Sequence, residues 1–477
     1  MTSQPHPMLS KLIALMVLIP SFISAKTIFV NHAAVGLNNG TSWANAYTIL
    51  QSALDGSISG DQIWVAQGTY TPSKDPFGNP TPSDARDLTF YLKNGVAIYG
   101  GFFGNEAVLD QRDPISYETI LSGSFGPNSS VFHVVLSVSD NVNTVLDGCI
   151  IQRGKANGGG SLVVESLTAS KSFGGGIYAL NSSASFRNLR LSNNFGTMGG
   201  AICNENSTIV LRDLEIFNNN SLDGGAVANI SGNVRFEKCL MRNNTSINGG
   251  AMCNATSNVT VVNNLFYGNS STDRGGAIFN SNTTLSIINS SIAYNNSSVG
   301  GGGIYSEGNF AILTALNAIV WGNTGPQPQS IGFGPGTGGT VTYSDIQGIS
   351  TFPGTGNINQ DPLFVSNTNL MIMVGSPCID AGNNSGAPSE DFDGNLRPQG
   401  GTVDMGAFET PEIINFVFMG LENTDWNNHN NWNMHYCPPS YYEGPVMIES
   451  DCVLPIGSTI GAGCEVIVGS ATSLTVK

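Results

Sequence analysis

Charge is scarce in this 477-residue chain: Lys and Arg number 18 and Asp and Glu 34, together 11% of residues, against about 25% in an ordinary globular chain. The formal net charge of −16 excludes a sequence-independent nucleic-acid binder, because that class neutralises phosphates with Lys and Arg. Ala, Glu, Lys, Leu and Arg do not dominate, which argues against a long helical protein. There is no CxxC pair and no Cys/His cluster with zinc spacing. The eight cysteines are too dispersed for a disulfide-stapled miniprotein. Five His, among them His32, His133, His429 and His435, form no constellation with a nucleophile. Past residue 25 no apolar run reaches the ~20 residues that a membrane-spanning helix needs.

What is present is a core. Hydrophobic residues make up 40% of the chain, with 59 Gly and a mean hydropathy of +0.02, so disorder is excluded as well. At the start, Lys11, the apolar Leu12 to Ile19 and the small Ser24-Ala25 read as a secretory signal peptide over residues 1–25. The mature chain then begins near Lys26 and works outside the cytoplasm, secreted or on the cell or outer-membrane surface.

A motif of two glycines, a small residue and an aliphatic one recurs in the middle of the chain. It begins at Gly174, Gly199, Gly224, Gly249, Gly275 and Gly301, at intervals of 25, 25, 25, 26 and 26 residues. Two Asn columns keep the same phase: Asn194, Asn219, Asn244, Asn269 and Asn296, and Asn204, Asn229, Asn254 and Asn280. A fixed period of this length marks a solenoid. The runs between the marks, such as Thr208-Ile209-Val210-Leu211, are β-branched and bounded by Asn, Ser and Gly, the signature of strands and turns. The expected fold is therefore all-β, a right-handed single-stranded parallel β-helix. Ile177, Ile202, Val227, Met252, Ile278 and Ile304 should form one interior file, and Phe186, Leu211, Phe236 and Val261 a second. Cys203 and Cys253 fall in one column two coils apart, about 9.6 Å at the strand spacing, which exceeds the ~7 Å reach of a disulfide.

The organisation follows. Residues 26–60 read as an N-terminal cap, with a helix in 42–54 that puts Tyr47, Leu50 and Leu54 on one face. Residues 61–345 form the β-helix, about eleven coils with the regular ones at 174–323, and residues 346–410 a closing module. Residues 411–477 form a small β module that stops in mid-strand pattern, as a truncated chain would.

Several of these segments carry a family resemblance. Thr27-Ile28-Phe29-Val30-Asn31, Gly40-Thr41-Ser42-Trp43 and Gly60-Asp61-Gln62-Ile63-Trp64-Val65 resemble the opening of bacterial β-helix proteins of the pectin-lyase-like superfamily. The repeat is similar to that of polymorphic outer membrane proteins. Ser376-Pro377-Cys378-Ile379-Asp380, Asp391-Phe392-Asp393-Gly394-Asn395 and Val403-Asp404-Met405-Gly406 resemble the closing module of choice-of-anchor surface proteins. Such a family includes adhesins, uncharacterised surface proteins and polysaccharide-degrading enzymes, so the resemblance specifies fold better than activity.

The chemistry-bearing residues are few. Arg212-Asp213, Glu215, Arg235, Glu237-Lys238, Asp273-Arg274 and Glu307 lie in the regular coils, with Asp213 and Lys238 in one column as a salt link and Arg187 and Arg212 in the next. The Asp-Asp and Gly-His-Gly motifs of polygalacturonases are absent, and no catalytic residue is assigned. Asp391, Asp393 and Asn395, beside Glu390 and Asp404, are the candidate ligands for calcium, the one cofactor the pattern admits; Gly394 stands too early for an EF-hand loop, and a hydrogen-bonded turn at the C-terminal end of the solenoid is the preferred reading of the same residues. Cys437 and Cys452 are the candidate disulfide, which would leave Cys464 over. The preferred reading is a non-catalytic, adhesin-like or display scaffold that binds an extracellular glycan or a host or cell-surface component. The alternatives are a polysaccharide lyase or glycoside hydrolase, and a structural spacer; the oligomeric state stays open.

Overall fold

The computed structural model describes residues 25–126, 129–326, 330–411, 416–434, 436–438, 446–454, 466–469 and 472–476. Residues 1–24, where a signal peptide is expected, together with His435 and Cys464, lie outside them. The chain winds into a parallel β-solenoid of about 13 turns, with sheets of nineteen, nine and six strands among the described residues. No described helix is long and apolar enough to cross a membrane.

One coil shows how the sequence dictates the winding. Ile202–Glu205 lies in the nine-stranded sheet, and Thr208–Phe217 forms two faces of the nineteen-stranded sheet. Asn220–Asp223 then joins the six-stranded sheet. Left-handed backbone turns the corners, at Asn206, Asp213 and Asn218 with φ of 49°, 55° and 55°. Asn recurs at such corners because its short side chain tolerates that conformation. The glycine pair performs two tasks. Gly224 has φ +68°, and at Gly225 a Cβ would stand 2.1 Å from the Gly250 carbonyl oxygen of the next coil.

The interior files are as the period requires. Ile177, Ile202, Val227, Met252, Ile278 and Ile304 pair in register and are all fully buried. Phe186, Leu211, Phe236 and Val261 do the same on another side. A buried amide ladder joins the coils: Asn194 donates to Asn219, Asn219 to Asn244 and Asn244 to Asn269 at 3.1, 3.1 and 3.0 Å. The next acceptor is Asn295 at 2.9 Å, not Asn296 as the spacing suggested. By then the repeat has lengthened to 26 residues, so Asn296 moves one place on, into the outer strand opposite Ser270. Asn204, Asn229, Asn254 and Asn280 form a second ladder.

The first coil is covered by Thr27–Val30 and by one short helix, Leu50–Gly56, which buries Leu50, Ala53 and Leu54. That helix is shorter than the sequence suggested, because Tyr47 pairs as a bridge with Val30 and Ile49 offers no side-chain cap. A hairpin of Ser161–Val164 and Leu167–Ser170 lies on the outer face of the nine-stranded sheet, over Leu136, Tyr178 and Cys203.

After Ile346 the chain folds back along the solenoid. The Asn263 and Asn289 side chains donate to the carbonyls of Glu390 and Asp404, and Asn317 donates to Asn383. Phe364, Leu370, Met405 and Phe408 pack on Leu265 and Ile319 of the solenoid wall. Within this module Arg397 and Glu409 form a buried pair at 2.7 Å, 0% and 1% exposed. Beyond it, Phe416–Phe418, Val446–Ile448 and Val466–Val468 pair in parallel beside the buried Trp426 and Trp432.

Candidate functional site

One outward column can be followed along the nineteen-stranded sheet through successive registers: Thr69, Ile120, Ile150, Arg190, Glu215, Leu240. Residues between the strands Ala97–Phe102 and Thr119–Ser122 leave the coil and stand beside this column as a wall. Two hollows lie along it. One of about 490 Å³ is lined by Arg112, Ile115, Ile150, Arg190, Asp213 and Glu215. The other, of about 700 Å³, is lined by His32, Gln67, Thr69, Ile115, Glu118 and Ile120. Ile115, 88% exposed, stands between them, so the two make one groove parallel to the solenoid axis.

Arg112 and Arg190 line the groove, Arg187, Arg212 and Arg242 stand beside it, and each of the five is held by an acid. Asp147 is buried and receives Arg112 and Arg187 at 2.7 Å each, and Asn188 at 3.0 Å. Arg190 donates to Glu215 at 3.1 Å and to Glu118 at 2.9 Å. Arg242 reaches Glu215 at 2.7 Å and lies over the Phe217 ring, 4.4 Å from its centre. Arg212 stands 3.4 Å from Asp213. Burial pushes the Asp213 carboxyl above its ordinary range, with Arg212 and Lys238 opposing the shift.

The sequence places Asp213 and Lys238 in one column, and they occupy that column, but the salt link expected between them is replaced. Lys238 turns to Glu390 of the folded-back module at 3.0 Å, a partner that no repeat spacing could indicate. Asp147, Arg112 and Glu118 escaped sequence reasoning for a related reason: they precede the regular coils. The available signal was that Asp147 shares a column with Arg187 and Arg212.

The calcium residues stand elsewhere. Asp391 is fully buried, and its oxygens accept from the Asn395 backbone and side chain and from the Glu409 N–H. Asp404 accepts from the Asp380 and Thr410 N–H groups. A calcium ion takes six to eight oxygens, and these carboxylates are occupied by protein donors, while Asp393 and Asn395 lie exposed on the turn. Among the described residues no three His, Cys, Asp or Glu side chains converge as a metal ion would require. The protein's own donors hold these carboxylates as a hydrogen-bonded turn. The Cys437–Cys452 bridge is not formed either. Both are free thiols that pack with Trp426 and Trp432, and burial raises both pKa values, that of Cys452 to about 12. Cys203 and Cys253 are buried thiols too.

Residues 175–345 match the family model described as right handed beta helix region. None of the curated proteins is similar enough in sequence to be matched. Among solved structures, one titled "Crystal structure of pectate lyase Pel9A" aligns at 15% identity and TM-score 0.45, over 81% of this chain and 97% of that one. The chain is a right-handed parallel β-helix protein, the fold its repeats and its opening residues imply.

Proposed function

We propose that the protein is a secreted or cell-surface β-helix that binds an extracellular glycan along this groove without turning it over. The observation that carries the reading is the state of the cations. β-Elimination by a Lys or Arg base needs that side chain free to take a proton, whereas Arg112, Arg187, Arg190, Arg212, Lys238 and Arg242 are each held within 4 Å of a carboxylate. The same pairs favour binding, because fixed guanidiniums and carboxylates offer hydroxyl groups both donors and acceptors, while Ile115, Ile120 and Ile150 give sugar faces an aliphatic strip. An extended peptide would gain affinity by adding a strand to a free sheet edge, but the floor strands are paired on both sides. The address outside the cytoplasm rests on the charged, apolar and small-residue pattern of residues 1–25.

A second reading is hydrolysis, favoured by one observation: Asp213, with its raised pKa, is two residues from Glu215, which two guanidiniums hold. Glycosidases use such a contrast between an acid and a carboxylate. Pectin, alginate, chondroitin sulfate, xylan and mannan, each with and without calcium, separate these readings. Binding by calorimetry without new reducing ends or unsaturated uronate is expected. Product formation above a heat-killed control would overturn the non-catalytic reading, and binding to none of the panel would overturn the glycan reading.

A further inference from the structure

We propose that the groove takes the end of an uncharged glycan chain and not a stretch of its middle; this rests on the reading of the groove as a glycan site. The groove is open at one end only. At the N-terminal side Thr69, His32 and Ala33 are exposed, and no described residue stands across them. Along the column the floor runs free from Thr69 to Glu215, four strand spacings or about 19 Å. The next position, Leu240, already packs in the apolar cluster that the folded-back module makes with the solenoid. In the same coil Lys238 is tied to Glu390 of that module, and Asn263 one coil further donates to the Glu390 carbonyl. A chain that enters at Thr69 therefore stops at the rung of Arg190, Asp213 and Glu215.

The charge balance names the kind of chain. Each cation at the closed end already faces a carboxylate, so a polyanion would have to displace acids to be neutralised, and would approach a protein of net charge −16. A neutral sugar has no such cost. Its terminal unit carries a hydroxyl that an internal unit has lost to the glycosidic bond, and the closed end is where polar groups converge to meet it. Arg190 and Glu215 are 45% and 27% exposed at their side chains, so both retain surface for a ligand.

The test uses mannan, xylan and mixed-linkage β-glucan on the full chain, before and after mild acid hydrolysis that cuts the chains about tenfold. Mass is constant while chain ends multiply. Calorimetric sites per gram should rise about tenfold for at least one polymer, with binding to polygalacturonate at least tenfold weaker. Sites per gram that do not change would overturn end recognition while leaving glycan binding intact. Stronger binding to polygalacturonate would overturn the uncharged class. Binding to none of the polymers would overturn the groove reading itself, and this inference with it. Two variants localise the contact: Glu215→Gln at the closed end, and Thr69→Trp at the exposed mouth, where the fold is not at stake. Each should weaken binding of the cut polymer about tenfold, and unchanged affinity in Thr69→Trp would overturn the direction of threading.

Discussion

The nineteen-stranded sheet has two halves built on one backbone plan. On one part of its outer surface Arg187, Arg190, Arg212, Glu215 and Arg242 stand as partly exposed ion pairs, whereas Leu240, Leu265, Tyr267, Ala293, Ile319 and Trp321 pack in the apolar cluster of the folded-back module. Register and inward packing do not change across the boundary: Leu191, Ile216, Met241, Phe266 and Ile292 form one buried file through both halves. What a solenoid wall does is thus decided by its outward column alone. An apolar column recruits a cover, and an ionic column remains available to a ligand.

The covered half should be the more fragile. Arg397→Met would leave Glu409, Asp404 and Asp391 without their buried cation, and breaking a buried pair costs about 3–5 kcal/mol. Urea unfolding together with limited proteolysis should show the module released while the solenoid survives. A wild-type midpoint in this variant would mean that the pair does not hold the module. Next in size is a comparison within one column. Leu265→Ala, at a site 6% exposed, should cost about 2–4 kcal/mol, and Glu215→Ala about 1 kcal/mol or less because its ion pairs are partly solvated. Equal losses at the two sites would erase the distinction between the halves.

How much of this contrast the residues reveal in advance depends on distance along the chain. The coils, the two interior files and the Asn ladders follow from residues 25 or 26 apart, because a β-helix converts sequence period into spatial neighbourhood. The groove does not follow so directly. Its acids Glu118 and Asp147 sit before the period becomes regular, and Glu390 reaches Lys238 across 152 residues. Glu390, Asp391, Asp393 and Asn395 show the converse. Their alternation of oxygens suits calcium and a hydrogen-bonded turn alike; Asp391 alone is buried, where it accepts from Asn395 and Glu409, and burial is a property no local pattern contains.

A pH effect should follow at the covered end. Burial raises Asp345 and Asp404 to about 6, so the folded chain holds their protons where the unfolded chain, at about 3.9, has released them. Their contribution to stability is fully present below about pH 4 and is lost as pH rises through about 6. The melting temperature should therefore fall between about pH 4 and pH 6 and level off above that. Asp345→Asn should flatten that fall by up to about 2 kcal/mol, since an amide can accept from the Gln360 N–H as Asp345 does. An unaltered slope in the variant would show that other groups set the dependence.

The smallest effect is the most discriminating, and it concerns one corner column. Asn188, Asp213, Lys238, Asn263, Asn289 and Asn317 all take left-handed backbone, with φ between 43° and 55°. Four are Asn, the residue that suits that conformation, and the two exceptions sit at the junction between the halves. Lys238 is accounted for by its bond to Glu390. Asp213 has no counterpart in the module, and its carboxyl is displaced upward by burial at the closed end of the groove, so the fold gains nothing evident from it. Asp213→Asn should then stabilise the chain slightly, by about 0.5 kcal/mol, while weakening glycan binding. If the substitution instead destabilises, the Arg212–Asp213 contact is part of the scaffold, and the ionic half of the wall is held by its own charges and not reserved for a ligand.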